Sequence, residues 1–346
     1  MASGKRYLVL AEGKSGDAHY GKTMRGVAKY GPDPVVAVLD SERAGEEYEG
    51  RPIVATVEEA MALVPTTALV GVATAGGRFP PAWQELLREC VRNGLDLENG
   101  LHEFLTNDPE LVTLAAEHGV ELRDLRKPPD GLNVPTGENL QVPATIVLTV
   151  GSDCAIGKMT MGLELDREAK RRGLKSVFVP TGQTGIAIEG WGIAVDAVVS
   201  DFLAGATEQL VVEGHRRGGE LLWVEGQGSL SHPAYSGVTM GLIHGAAPHL
   251  FVLCHKAGTT EIEGFPGHPL LPLAELVQLH EAISLPARKA KVAAVALNTA
   301  GLNVDAARAA IREAAEETGL VADDPVRFGA ARLVEAVLGR ASGLSR

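Results

Sequence analysis

The sequence predicts an α/β protein of two units: a Rossmann-like N-terminal domain, then a P-loop NTPase-like domain on a doubly wound parallel sheet. Three observations carry that prediction. Short β-branched runs alternate with amphipathic stretches throughout, the pattern of βαβ crossovers. A segment with four prolines and no apolar period, KPPDGLNVPTGENLQVP at 127–143, interrupts them. A glycine-rich loop at 151–160 stands between an apolar strand and a helix. At 346 residues the chain is long for one core and natural for two. The expected boundaries are 1–127 for the first domain, 128–143 for the linker and 144–346 for the second domain.

In the first part, strands are expected at 7–11, 35–39, 53–54 and 68–73, and helices at 21–30, 57–63 and 81–93. The last of these helices opens on Pro80-Pro81, where proline suits a first turn. After the linker the β-branched run 145–150 is a strand, and 159–172 a helix. Further strands are expected at 176–179, 221–224, 250–254 and 292–297, with helices near 202–216, 273–283 and 304–318. In open sheets of this kind ligands sit beyond the carboxyl ends of the strands, so chemistry is sought in the loops that follow them.

Composition narrows the function. Lys and Arg number 32 against 44 Asp and Glu, for a net charge of −12, and no basic block exists to track a phosphate backbone. No nucleic-acid partner is expected. Cys90, Cys154 and Cys254 form no CxxC pair, so neither a disulfide framework nor a zinc signature is present. No stretch approaches the ~20 apolar residues that span a bilayer, and a cytoplasmic protein with no membrane partner is expected. A homo-oligomer acting on a small molecule is the expected form.

The strongest motif is Gly151-Ser152-Asp153-Cys154-Ala155-Ile156-Gly157-Lys158-Met159-Thr160. Its glycines let successive N–H groups turn toward an anion, the helix start adds partial positive charge, and Lys158 adds a full one. Five residues rather than four separate the glycines, and the hydroxyl stands one place late. A one-residue displacement turns Thr160 by about 100° around the helix, away from the place that normally holds Mg²⁺. Phosphate binding survives that change, while Mg-dependent phosphoryl transfer becomes doubtful. Cys154 is a nucleophile only if the helix end favours its thiolate, and a packing role is preferred.

Glu225, in the strand end WVEGQGS, is a candidate general base or metal holder, or else caps the next turn. His232 and His244 follow in a polar cluster and are further candidates for the base. Gln183 and Thr184, in PTGQTG, suit a segment wrapping an anionic ligand. Lys256 offers a cation to a carboxylate, and Asn298 an amide to a purine edge. Asp196 and Asp201 flank a strand-like run and are expected to face the same cleft. In the first domain only AGGR, with Arg78, offers an anion contact.

GSDCAIGK, EGQG and LNT resemble the dethiobiotin synthetase branch of phosphate-loop proteins over the C-terminal half. A resemblance covering nearly the whole chain is carried by AGGRFPP, ENGLHEFL, LRDLRKPP, GSDCAIGKMT, PTGQTG, EGQGSLSHPAYSGVT, GLIHG and VLCHKAG. It is to the DgcN-type D-glutamate N-acetyltransferase family, long catalogued as a domain of unknown function. The resemblance implies transfer of an acetyl group from acetyl-CoA, as co-substrate, to the amine of D-glutamate. A CoA pyrophosphate needs cradling but no phosphoryl transfer, which agrees with the late hydroxyl. Glu225, His232 and His244, in that order, are the expected bases; Arg78, Gln183, Thr184 and Lys256 are expected at the substrate, and no metal is required. The alternative is a ligase or carboxylase using ATP with Mg²⁺ held by Thr160 and Glu225. A nucleotide-sensing regulatory protein is the third reading.

Overall fold

The computed structural model describes residues 4–17 and 21–343. The chain divides into two compact units, one running through Pro128 and taking in Gly182–Ala197, the other comprising Pro129–Thr181 and Val198 onward. Among the described residues no helix is long and apolar enough to cross a membrane.

The first unit is built on β1 (Tyr7–Leu10), α1 (Lys22–Tyr30), β2 (Val35–Leu39), β3 (Glu47–Tyr48), β4 (Arg51–Val54), α2 (Val57–Met61), β5 (Thr67–Val70), α3 (Trp83–Arg92), β6 (Asp96–Asn99), α4 (Pro109–His118) and β7 (Leu122–Asp124). Its seven strands lie in the order β3-β4-β2-β1-β5-β6-β7, parallel except for the β3–β4 pair. Central β1 is buried along its whole length, as expected of a strand covered on both faces. Helix α3 buries Trp83, Leu87, Cys90 and Val91, a one-sided apolar stripe. Helix α4 opens with Asp108 accepting the N–H groups of Glu110 and Leu111, has Pro109 in its first turn, and stops at Gly119 with φ +67°.

Strands β6 and β7 escape a reading by apolar pattern because their sequences, DLEN and LRD, are polar. Glu98 of β6 is nevertheless 2% exposed. Lys5 Nζ at 2.5 Å, Arg123 Nη1 at 3.0 Å and the Tyr7 hydroxyl at 3.0 Å all donate to it, which makes its burial tolerable.

The second unit contains β8 (Thr145–Gly151), α5 (Lys158–Arg171) and β9 (Ser176–Val179); the helix α6 (Gln183–Glu189) that follows belongs to the first unit. The second unit continues with α7 (Ser200–Arg216), β10 (Leu221–Val224), α8 (Ser236–Ala246), β11 (Leu250–Lys256), α9 (Leu273–Ile283), β12 (Lys291–Asn298), α10 (Val304–Thr318), β13 (Val321–Asp323) and α11 (Ala331–Ala341). Its sheet is parallel with six strands, not the five expected, in the order β13-β12-β11-β8-β10-β9. Central β8 pairs with both β10 and β11, so the loop after it lies among the loops of its neighbours.

The linker segment carries one 3-10 turn, Glu138–Leu140, and is fastened to α7. The Glu208 carboxylate accepts the N–H groups of Thr136 (2.6 Å), Gly137 (2.7 Å) and Asn139 (3.4 Å) and the Thr136 hydroxyl (2.9 Å). Those donors hold its pKa below the usual value against the opposing effect of burial.

Candidate functional site

Strand β8 ends in the phosphate loop, and the loop's shape comes from two left-handed residues, Ala155 at φ +51° and Gly157 at φ +107°. Left-handed backbone in a non-glycine residue is strained by about 1–3 kcal/mol. Here it folds the chain into a concave run of amides ending at the open N-terminus of α5. Ser152 N–H donates to the Cys254 carbonyl of β11 (3.0 Å). Asp153 Oδ1 accepts the Cys154 N–H (2.6 Å) and Oδ2 the Glu263 N–H (2.8 Å), so this carboxylate fixes the loop. Lys158 is 6% exposed, and its ammonium donates to the Asp153 carbonyl at 2.7 Å. The position after Lys158 is Met159, 4% exposed and without a hydroxyl, while Thr160 lines an adjoining cavity of about 490 Å³.

Glu225 follows β10 and is 3% exposed. Its Oε2 accepts the Thr181 N–H at 3.0 Å, and its carbonyl accepts the Thr181 hydroxyl at 2.7 Å. Next to it, the Gly226 N–H donates to Thr149 Oγ1 of β8 at 2.9 Å. A Cβ at Gly226 would stand 1.8 Å from the Thr149 carbonyl oxygen and 3.2 Å from Lys158 Cδ. Glycine is therefore required there, and its close approach brings the Glu225 segment up to the lysine of the phosphate loop.

His232 is buried against Phe265 and Tyr235, with Nε2 at 3.9 Å from Asp153 Oδ1. Its Nδ1 accepts the Ala234 N–H at 3.1 Å, so in the neutral ring the proton lies on Nε2. His232 thus presents a donor toward Asp153. Asp153, Cys154 and His232 bring three ligand-type atoms within 4.8 Å of one another. With Nε2 protonated, a cation at that trio would first have to displace the proton.

His244 does not join this group. It lies in the last turn of α8, just before β11 begins, at the edge of the parallel sheet opposite the phosphate loop, with Nε2 against the Ile283 carbonyl (3.1 Å). His255, at the end of β11, was not a sequence candidate yet adjoins the loop, its Nδ1 2.9 Å from Ser152 Oγ. Burial lowers its pKa, which favours a neutral imidazole. The neighbouring Lys256 is exposed. Asn298 serves the loop itself: Nδ2 donates to the Ile156 carbonyl (3.0 Å) and Oδ1 accepts the Ala300 N–H (3.1 Å).

The segment PTGQTG departs from expectation. Only Pro180 and Thr181 stay with the second unit. In the first unit the Thr184 hydroxyl is 2.8 Å from that of Thr23 and 2% exposed, so it packs α6 on α1 and has no open face for a ligand. Gln183 lines a cavity of about 340 Å³ with Thr23, His102 and Arg126. Arg78 is exposed in the same unit and does not line that cavity. The strand-like run near Asp196 is a 3-10 turn, and Asp196 pairs with Arg126 inside the first unit. Asp201 is exposed in the first turn of α7.

Comparison with known proteins agrees with this architecture. Residues 133–334 match the family described as "Domain of unknown function (DUF1611_C) P-loop domain", and residues 40–128 match the "Domain of unknown function (DUF1611_N) Rossmann-like domain". A protein of Tritonibacter scottomollicae named "D-glutamate N-acetyltransferase" is 36% identical over 332 residues, 96% of this chain and 98% of its own. A Pseudoalteromonas protein of the same name is 34% identical over 277 residues, 80% of this chain and 82% of its own. The crystal structure of a DUF1611 family protein from Anabaena variabilis is similar at TM-score 0.91 and 40% identity, covering 97% of this chain and 99% of that one. The chain belongs to the DUF1611 family, with its Rossmann-like N-terminal domain and phosphate-loop C-terminal domain.

Proposed function

We propose that this protein transfers the acetyl group of acetyl-CoA to the amine of D-glutamate. The observation that carries the reading is a phosphate loop complete in its glycines, amides and Lys158, whose Mg²⁺-hydroxyl position is filled by buried Met159. Such a loop holds a pyrophosphate without acting on it. The names of the two relatives, at 34–36% identity, support the acceptor and the reaction class.

In this reading the loop amides and Lys158 hold the CoA pyrophosphate. Glu225 takes a proton from the acceptor's ammonium group, and the amine nitrogen bonds to the thioester carbonyl carbon. Collapse of the tetrahedral intermediate breaks the C–S bond, and the second proton on the nitrogen passes to the departing sulfur, leaving the neutral amide and free CoA thiol. Glu225 is preferred as the base because His244 lies at the far sheet edge and the free ring position of His232 carries a proton. Exposed Lys256 is the nearby cation for an acceptor carboxylate.

The test is incubation with acetyl-CoA and a panel of D- and L-amino acids, with release of free thiol as readout and ATP hydrolysis measured alongside. Thiol release with D-glutamate that persists in excess EDTA is expected. ATP hydrolysis abolished by EDTA and restored by Mg²⁺, without thiol release, would replace the reading with the ligase.

A further inference from the structure

The cavity beside the phosphate loop contains a cation for which the acetyl transfer itself has no use. Arg327 lies just after β13 and lines this space of about 490 Å³ together with Gly157, Thr160 and Asn298. The one carboxylate lining the cavity, Asp324, is already occupied. Its Oδ1 accepts the N–H groups of Val326 (2.9 Å) and Arg327 (2.9 Å), and its Oδ2 accepts the N–H (3.0 Å) and hydroxyl (2.6 Å) of Thr299. Asp324 is thereby committed to shaping the loop, and the Arg327 guanidinium is left with Nη1 buried and no hydrogen-bond partner. Arg327 is half-buried and lines the cavity with no carboxylate among the described residues paired to it, so its guanidinium is free to meet an anion there.

We propose that this cavity receives the phosphorylated adenosine end of CoA, with Arg327 paired to the ribose 3′-phosphate; the inference rests on acetyl-CoA being the donor. The cavity begins at Gly157 and Thr160, the end of the loop that takes the pyrophosphate, so the adenosine side of the pyrophosphate has this space next to it. Its volume is in the range of small-ligand pockets. A guanidinium fork binds a phosphate monoester through two charge-assisted hydrogen bonds, and ATP carries no such group on its ribose. Arg327 therefore selects CoA over ATP at a loop whose amides accept the pyrophosphate of either.

Calorimetry on the full chain tests this with acetyl-CoA, acetyl-dephospho-CoA, which lacks only the 3′-phosphate, and ATP. The parent is expected to bind acetyl-CoA at least tenfold more tightly than the dephospho form, a comparison that needs no variant. Arg327→Gln, checked for an unchanged thermal melt, is expected to bring the two thioesters within twofold by weakening acetyl-CoA alone. Arg327→Lys is expected to fall between. A parent ratio within twofold, or a tenfold ratio that persists in Arg327→Gln, would overturn the assignment while leaving the donor intact. ATP binding with no binding of either thioester would overturn the donor itself.

Discussion

Gly226→Ala and Gly237→Ala are the same chemical change and should move stability in opposite directions. At Gly226 the added Cβ would stand 1.8 Å from the Thr149 carbonyl oxygen and 2.8 Å from its carbon, both backbone atoms of the central strand β8. A carbon normally comes no closer to a carbonyl oxygen than about 3.3 Å, so the two segments must separate by roughly 1.5 Å. The Gly226 N–H bond to Thr149 Oγ1, now 2.9 Å, would be lost with that movement. Overpacking at about 1–3 kcal/mol plus a buried hydrogen bond at about 1 kcal/mol gives a loss of roughly 3 kcal/mol. Gly237 stands exposed in the first turn of α8 with nothing near its missing Cβ, and alanine there should add a few tenths of a kcal/mol, up to about 0.5 kcal/mol, by helix propensity. The assay is urea unfolding followed by tryptophan fluorescence, since Trp223, three residues before Gly226, is 0% exposed. Activity should fall with Gly226→Ala, because Glu225 shifts away from Lys158, and hold with Gly237→Ala. A Gly226→Ala protein within 1 kcal/mol of its parent would refute the argument that close approach of β8 and the Glu225 segment builds this site.

Lys158→Ala should weaken acetyl-CoA binding at least tenfold with the fold retained, since the residue brings charge to an anion; unchanged affinity by calorimetry would remove the phosphate-loop reading. Glu225→Gln should lower turnover by about 10²-fold with little change in CoA affinity, because an amide keeps the shape but accepts no proton; turnover within twofold of the parent would point to His255 instead. Acid should destabilise the protein through His280, which is 0% exposed, donates from Nδ1 to the Leu276 carbonyl at 2.7 Å and has no partner at Nε2. Burial lowers its pKa from 6.5 to about 4. The unfolded chain therefore binds the proton first, and the contribution of about 3 kcal/mol present above pH 6.5 is lost as pH falls toward 4. His280→Leu should flatten the urea midpoint against pH across that window, and an unchanged slope would refute the assignment.

The parts of this molecule legible in the sequence are those where one local rule suffices. Strands β2, β8 and β10 are apolar runs buried on both faces, so a hydrophobic pattern finds them. The phosphate loop declares itself because its glycines, lysine and following helix are contiguous. Strand β6 fails the same test for an identifiable reason. Its glutamate is neutralised by Lys5 and Arg123, which come from 93 and 25 residues away, and no local window contains them.

The site-lining residues that the sequence does not single out share that dependence on distant partners. Nothing in HKAG singles out His255 until β8 and β11 pair in register and bring Ser152 to its ring. Arg327 follows a three-residue strand, and its significance lies in what it lacks: Asp324 is drawn off by Thr299, 25 residues earlier. Thr184 shows the converse. Its hydroxyl looks available in the sequence PTGQTG, yet the chain leaves the second unit after Thr181 and buries that hydroxyl against Thr23, 161 residues away. A polar side chain at a strand end is thus a ligand candidate only until its hydrogen bonds are counted. By that criterion Thr184 and Asn298 are largely committed to the scaffold. Arg327 lines its cavity with no carboxylate among the described residues paired to it, and on our proposal a ligand phosphate supplies that partner.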